Sequence, residues 1–215
     1  MQAFSGYDDV KVNNYDYERL NLGGHVVKIL EVAINKFSNS DGKEFENLEL
    51  KIDIAEPDEQ AGFYQRKFTE DAKADALKAK WKGYFKVSIP KDDSSDTVKS
   101  IFKGFITSIE ESNPGYKWTW DETTLAGKIF GGVFGIEEFV SNIDGRTIAM
   151  TKCRFARGVE KIAEAKIPKV KLADKTLMDY EEYIEKKKNE EKTTENNSSV
   201  EESMFDNADV DSLPF

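Results

Sequence analysis

The chain has 215 residues, 39% of them hydrophobic and 12% aromatic, enough for one domain with a sizeable core plus appendages. A third of the residues are charged and no apolar run approaches the ~20 residues of a membrane helix, which places the chain in water rather than in a bilayer. One cysteine, Cys153, and one histidine, His25, exclude an internal disulfide and a zinc site of the usual His/Cys type, and no cofactor motif stands out.

The formal net charge of -10 argues against a nucleic-acid partner until its distribution is considered. From Thr193 onward there are six acids and no Lys or Arg; removing that -6 from -10 leaves -4 on residues 1–192. A body so near neutral can carry a basic groove. The start, Met1 to Val10, lacks the basic and apolar segments of a secretory signal, so the expected location is the cytoplasm.

Residues 1–22 form an N-terminal arm without a sustained period. From His25, the run HVVKILEVAIN is rich in β-branched residues and reads as a strand, followed by an Asp41-Gly42 turn signal. Next, Leu48, Leu50, Ile52 and Ile54 alternate with Asn47, Glu49, Lys51 and Asp53, the period of a strand with one buried and one wet face. Pro57 ends it. Residues 58–82 read as a polar, peripheral insertion in which EDAKADALKAKW has helical propensity. YFKVSIP then reads as a third strand, stopped by Pro90.

Val98, Ile101, Phe102, Phe105, Ile106 and Ile109 fall at spacings of three and four, which predicts a helix from Thr97 to about Ser112. Ser95 or Asp96 is its N-cap, and Asn113-Pro114-Gly115 its stop. Gly127 to Phe139 and Arg146 to Gly158 are two further strands joined at Asp144-Gly145, with Gly131, Gly132 and Gly135 supplying bulges and corners. A helix from Leu177 to about Glu191 follows, which packs on the body or caps an edge.

Strand, strand, strand, helix, strand, strand is the order of an OB barrel. The predicted fold is mainly β: a five-stranded OB-type barrel with a helix between strands 3 and 4, a peripheral helical insertion and a disordered acidic C-terminal tail. In domain terms, 1–22 is an arm, 23–172 the OB-type domain, 173–192 a C-terminal helix and 193–215 the tail.

The tail ends in Asp209, Asp211, Leu213, Pro214 and Phe215, a rigid apolar tip on a free carboxylate preceded by acids. Pro214 restricts Leu213 to extended geometry, so less chain freedom is lost on docking to a partner pocket. The ending DVDSLPF resembles the acidic tip of bacterial and phage single-stranded DNA-binding proteins, which close in Leu-Pro-Phe or Ile-Pro-Phe. The stretches FKGFITSIEESNPGYKWTWDE (102–122), GKIFGGVFG (127–135) and TKCRFARGVEKI (151–162) are similar to phage and prophage replication proteins of Gram-positive hosts, single-stranded DNA-binding proteins of OB type. The likeness covers roughly residues 23–172. It implies single-stranded DNA binding and protection during replication and recombination, with helicases, primases, recombination mediators and nucleases recruited through the tip. The longer chain and the 58–82 insertion leave the oligomeric state open.

Single strands are held by cations that track phosphates and by aromatic faces that stack bases, at ~1 to 3 kcal/mol per base. The two residue types interleave in 64–68 (Arg66), in 80–86 (Lys80, Trp81, Lys82, Tyr84, Lys86) and in 116–120 (Lys117, Trp118, Trp120). Lys36 and Phe37 flank the first hairpin loop. In the last strand, alternation puts Lys152 and Arg154 on one face against Cys153 and Phe155 as core, with Arg157 just beyond. Phe102, Phe105, Phe130 and Phe134 sit at core positions, and Trp118 and Trp120 share a face that suits either core or ligand.

One His, one Cys and no nucleophile motif argue against an enzyme. The alternative is an acidic DNA-mimic or replication adaptor that binds proteins rather than DNA, which the overall charge favours.

Overall fold

In the computed structural model, which describes residues 18–38 and 42–190, Gly23–Ser38 forms one long strand, β1. Its β-branched first half alternates core-facing residues, and a register shift between Ile29 and Glu31 then bends it. That bulge lets a single strand serve two neighbours, because the extra residue increases the local twist. Gly23–Lys28 pairs antiparallel with β4 (Ile129–Val140), while Val27–Ser38 pairs with β2 (Glu44–Ile54).

β2 pairs on its other edge with β3 (Tyr84–Ser88), and β4 pairs on its other edge with β5 (Thr147–Arg157). Where β1 leaves β4, the short β6 (Val170–Lys171) takes its place in parallel at Glu137, and β7 (Leu177–Met178) pairs with β6. The result is a mainly β structure with one seven-stranded sheet, where five strands were expected. No ladder joins β3 to β5 among the described residues, so hydrogen bonding leaves the sheet open.

Val27, Ile29, Leu50, Ile52 and Phe130 form the centre of the core, each at 0% exposure. Burying a side chain of this size contributes about 1.5–3 kcal/mol. Helix α2 (Asp96–Ser112) closes the core with Phe102, Phe105 and Ile109. Ser95 caps its start by accepting from the Val98 amide. At its end, Asn113 donates to Ile109 O and Ile129 O and accepts from the Ile129 amide, which ties the helix stop to the first residue of β4.

The 58–82 segment departs from the sequence expectation in two ways. The helix, α1, is Phe63–Ala74, so it starts upstream of the Ala/Lys-rich run and takes in only its first five residues, Glu70 to Ala74, and it is not peripheral: Phe63 and Tyr64 are buried in the core. Asp53, expected on the wet face of β2, is 7% exposed because it serves this helix. Its carboxylate accepts from the Tyr64 and Gln65 amides, satisfying donors that a helix start leaves unpaired.

Glycines in the sheet answer to close approach. A Cβ on Gly24 would lie 2.4 Å from Ile162 O, and one on Gly131 would meet Ile162 Cγ2 at 2.2 Å. The segment after β5 therefore seats directly on the β1–β4 ladder.

The last described helix, α3, covers 180–190, so the expected helix start at Leu177 is instead the strand β7. α3 does pack on the body: Tyr183 is buried and donates its hydroxyl to Glu138 Oε1 at 2.9 Å, and Lys187 reaches the same carboxylate at 3.4 Å. Among the described residues, no helix is long and apolar enough to cross a membrane. The expectations for residues 1–17 and for 193–215, including disorder of the tail, lie outside the described residues.

Candidate nucleic-acid interface

The register of β1, β2 and β3 sets out a wet face row by row. Glu31, Lys51 and Tyr84 form one row, Ala33, Glu49 and Lys86 the next, and Asn35, Asn47 and Ser88 the third. Phe37 and Phe45 continue it toward the hairpin loop, their rings stacked at 5.5 Å and 18°. Lys43 lies over the Phe45 ring at 5.9 Å. At the other end Lys51 lies over Trp81 at 5.1 Å, and Trp81 is fixed by an Nε1 hydrogen bond to Gly83 O. Phe37 is 47% exposed and Tyr84 40%. Of the sequence-derived residues, this face gathers Phe37, Trp81, Tyr84 and Lys86.

Its lysines have carboxylate neighbours: Lys86 meets Glu49 at 2.5 Å and Lys51 meets Glu31 at 2.6 Å. Lys36 alternates to the opposite face, where it meets Glu46 at 3.3 Å. Exposed pairs of this kind are worth about 0.2–1 kcal/mol, so a phosphate oxygen replaces the carboxylate at little cost.

Arg66 and Lys82 are engaged elsewhere. Arg66 pairs with Glu18 at 2.8 Å, and its hydrogen bond holds the Glu18 carboxyl below the ordinary 4.5. Lys82 meets Asp71 at 2.6 Å, while Lys80 is exposed.

On β5 the simple alternation fails at a register shift, where Phe134 faces Cys153 and Val133 faces Phe155. Arg154 is the extra residue. Phe155, expected in the core, is therefore 53% exposed, whereas Cys153 and Ala156 pack against the core. Burial pushes the Cys153 thiol up, out of its reactive range. Lys152 is exposed, but Arg154 is half-buried with Nη1 buried and unpartnered. Arg157 lies apart, in a cleft of about 430 Å³ with Lys103, Thr107 and Lys161.

The segment 116–120 is not a strand. Trp118 packs against the core and its amide donates to Glu110 Oε1 at 3.0 Å, while Lys117 reaches Oε2 of the same residue at 3.2 Å. Trp120 is 73% exposed and stacks on Phe102 at 6.0 Å and 16°. Trp118 and Trp120 line the flank of α2 rather than the β1–β2–β3 face, and Lys117 is tied to the same helix through Glu110.

Sequence reasoning placed Lys51 on the wet face without singling it out, and it missed Phe45 and Phe155 as exposed residues. Phe45 was detectable, since it pairs with Phe37 and the sequence puts a turn signal between them; Phe155 was not, because no residue type announces the bulge. The tip, Asp209 to Phe215, lies outside the described residues. Among the described residues no cluster of His, Cys, Asp and Glu is arranged to hold a metal ion. No family model matches this chain, and no curated protein matches it either.

Proposed function

We propose that this chain binds single-stranded DNA without sequence preference, shielding it during DNA replication and recombination, in keeping with the phage-type resemblance. The carrying observation is the β1–β2–β3 face, where Phe37, Phe45, Tyr84 and Trp81 alternate with Lys43, Lys51 and Lys86. The exposed rings of Phe37, Phe45 and Tyr84 accept any base by stacking, with Trp81 half-buried against the core at the end of the row, and interleaved cations follow the phosphates.

The finer reading of the fold as an OB-type barrel supports this. The path β3-β2-β1-β4-β5, the bulged β1 shared by two ladders, and α2 between β3 and β4 are the arrangement such a barrel requires. β3 and β5 also approach one another, as closure demands. In OB folds, the face of strands 2 and 3 and the loops of the two hairpins hold the oligonucleotide. Here those hairpins are β1–β2 and β4–β5. The acidic tip then serves to dock helicases, primases, recombination mediators or nucleases. The chain is read as a binding protein rather than an enzyme, working in the cytoplasm of a host cell.

Titrating labelled oligo(dT) and, separately, duplex DNA at several salt concentrations tests the reading. Binding to oligo(dT) should weaken linearly in a log-log plot against salt, with a slope of about -2 if three phosphates are neutralised. No binding at low salt would overturn it and leave the acidic adaptor as the better account.

A further inference from the structure

Beyond β3 the chain keeps alongside β2: the Ile89 amide donates to Glu46 O, and Lys91 Nζ donates to Glu44 O at 3.2 Å. Lys43, which lies over the Phe45 ring, also meets Asp93 at 2.9 Å. The loop after β3 is thereby fastened to the base of the β1–β2 hairpin, beside the stacked pair Phe37 and Phe45. Pro90, Lys91 and Asp92 of that loop line a groove of about 530 Å³ that runs along the flank of α2. Pockets for small ligands run from roughly 300 to 1,000 Å³, so this one has room for a nucleotide.

The floor of the groove is Phe102, Ile106, Trp118 and Trp120. Trp120 adopts φ +62°, a conformation costly for a bulky side chain, and is 73% exposed although it stacks on Phe102. A large flat ring is thus kept at the surface against both backbone strain and solvent. Trp118, beside it, has its Nε1 buried without an acceptor among the described residues, a vacancy that an oxygen or ring nitrogen of an occupant would fill.

The polar lining is mixed, with cations in excess. Lys91, Lys99 and Lys103 line the groove, and none of the three is in an ion pair among the described residues; Lys91 and Lys99 donate to the backbone carbonyls of Glu44 and Asp92. Of the two carboxylates there, Glu110 is engaged by the Trp118 amide and by Lys117, and Asp92 is exposed. Counting Lys117, lysines outnumber carboxylates by two. A wholly acidic occupant would set its charges against both carboxylates, whereas a nucleotide brings one flat ring and one negative charge.

We infer that this groove is a second nucleotide subsite, off the strand face: a single strand leaving Phe37 and Phe45 crosses Lys43 and Lys91, lays a further base on Trp120, and has its phosphates held by Lys99 and Lys103. The inference rests on the single-stranded DNA reading of the strand face and extends it around the hairpin base to the helix. It assigns the two aromatic clusters to one ligand, with the lysines of the loop after β3 as the bridge between them. Affinity should then grow in two stages with strand length, the first set by the strand face and the second by the groove.

Labelled oligo(dT) of about 4 and of about 12 nucleotides, both within the range that one fold of this type occludes, is titrated into the full chain and followed by anisotropy. Trp120→Gly should weaken the long strand about tenfold, the loss of one stacked base, and leave the short strand unchanged. Glycine accepts the left-handed backbone at this position, so the melting temperature should hold. Lys99→Ala with Lys103→Ala should flatten the salt slope of the long strand by about 1.4, at roughly 0.7 for each phosphate released, and again spare the short one. A Trp120→Gly chain that binds both lengths as the wild type does would overturn the inference, leave the strand-face reading standing and assign the groove to a protein partner. Equal losses on both lengths would overturn it as well, since Trp120 would then belong to the primary site. A wild-type chain that binds neither length would overturn both readings.

Discussion

β1, β2 and β4 each pass through two environments. Near Val27, Ile52 and Phe130 they are sealed from solvent on the core face. Toward the hairpin loops the same strands keep their ladders and lose their cover, leaving Phe37 47%, Phe45 36% and Val140 53% exposed. Strand pairing alone therefore does not explain the exposed halves. A hydrogen-bonded ladder holds aromatic rings in the open at fixed spacing, which is what stacking needs and what a core does not. The buried halves fix stability and the exposed halves are free to serve binding.

The largest expected effect comes from striking the buried half. Phe130→Ala removes a fully buried ring that contacts Phe85 and Phe105 and should cost about 3–5 kcal/mol, lowering the melting temperature by roughly 10 °C. Calorimetry checks this. At a temperature where the variant is still folded, its oligo(dT) affinity should match the wild type. A loss of affinity in the folded variant would break the division between the two halves.

Phe37→Ala with Phe45→Ala is the complementary test. The stacked pair lies on the wet face, so its removal should lower the melting temperature by about 2 °C or less, because little buried area is lost. Oligo(dT) affinity should fall tenfold or more, since each stacked base is worth about 1–3 kcal/mol. Adding Lys86→Ala should flatten the salt slope by about 0.7, the contribution of one phosphate on a single strand. Unchanged affinity would show that the exposed halves are merely extended strands.

The same division governs what the sequence reveals. Period-two alternation located β2 with its core set Leu48, Leu50, Ile52 and Ile54, and period 3.6 located α2 to within a residue, because both elements bury one face and leave the other wet. Alternation misled where a third party covered the wet face, as α1 does over Asp53, and where a bulge reset the phase, as at Arg154 and Phe155. Both depend on contacts distant in sequence. The site was legible in composition, as lysines interleaved with aromatics, but not in grouping: Trp81 and Tyr84 share the strand face, whereas Trp118 and Trp120 belong to the flank of α2.

The smallest effect concerns those two tryptophans, which repeat the contrast within three residues: Trp118 packs on the core and Trp120 stands in solvent. Glu110 holds the segment, and the backbone hydrogen bond from Trp118, followed by the side-chain bond from Lys117, keeps its carboxyl below the ordinary 4.5. A carboxyl depressed on folding adds stability above its unfolded range, and that stability is lost as pH falls through the lowered folded value. Tryptophan fluorescence should therefore show a local step on acidification below about pH 4.5, before the far-ultraviolet dichroism changes. Glu110→Gln still offers an oxygen to the Trp118 amide but cannot titrate, so the step should vanish while the neutral-pH spectrum stays. A step of the same size in both proteins would mean that the Trp118 segment is held by its packing on the core alone, and Glu110 would have no part in keeping Trp120 at the surface.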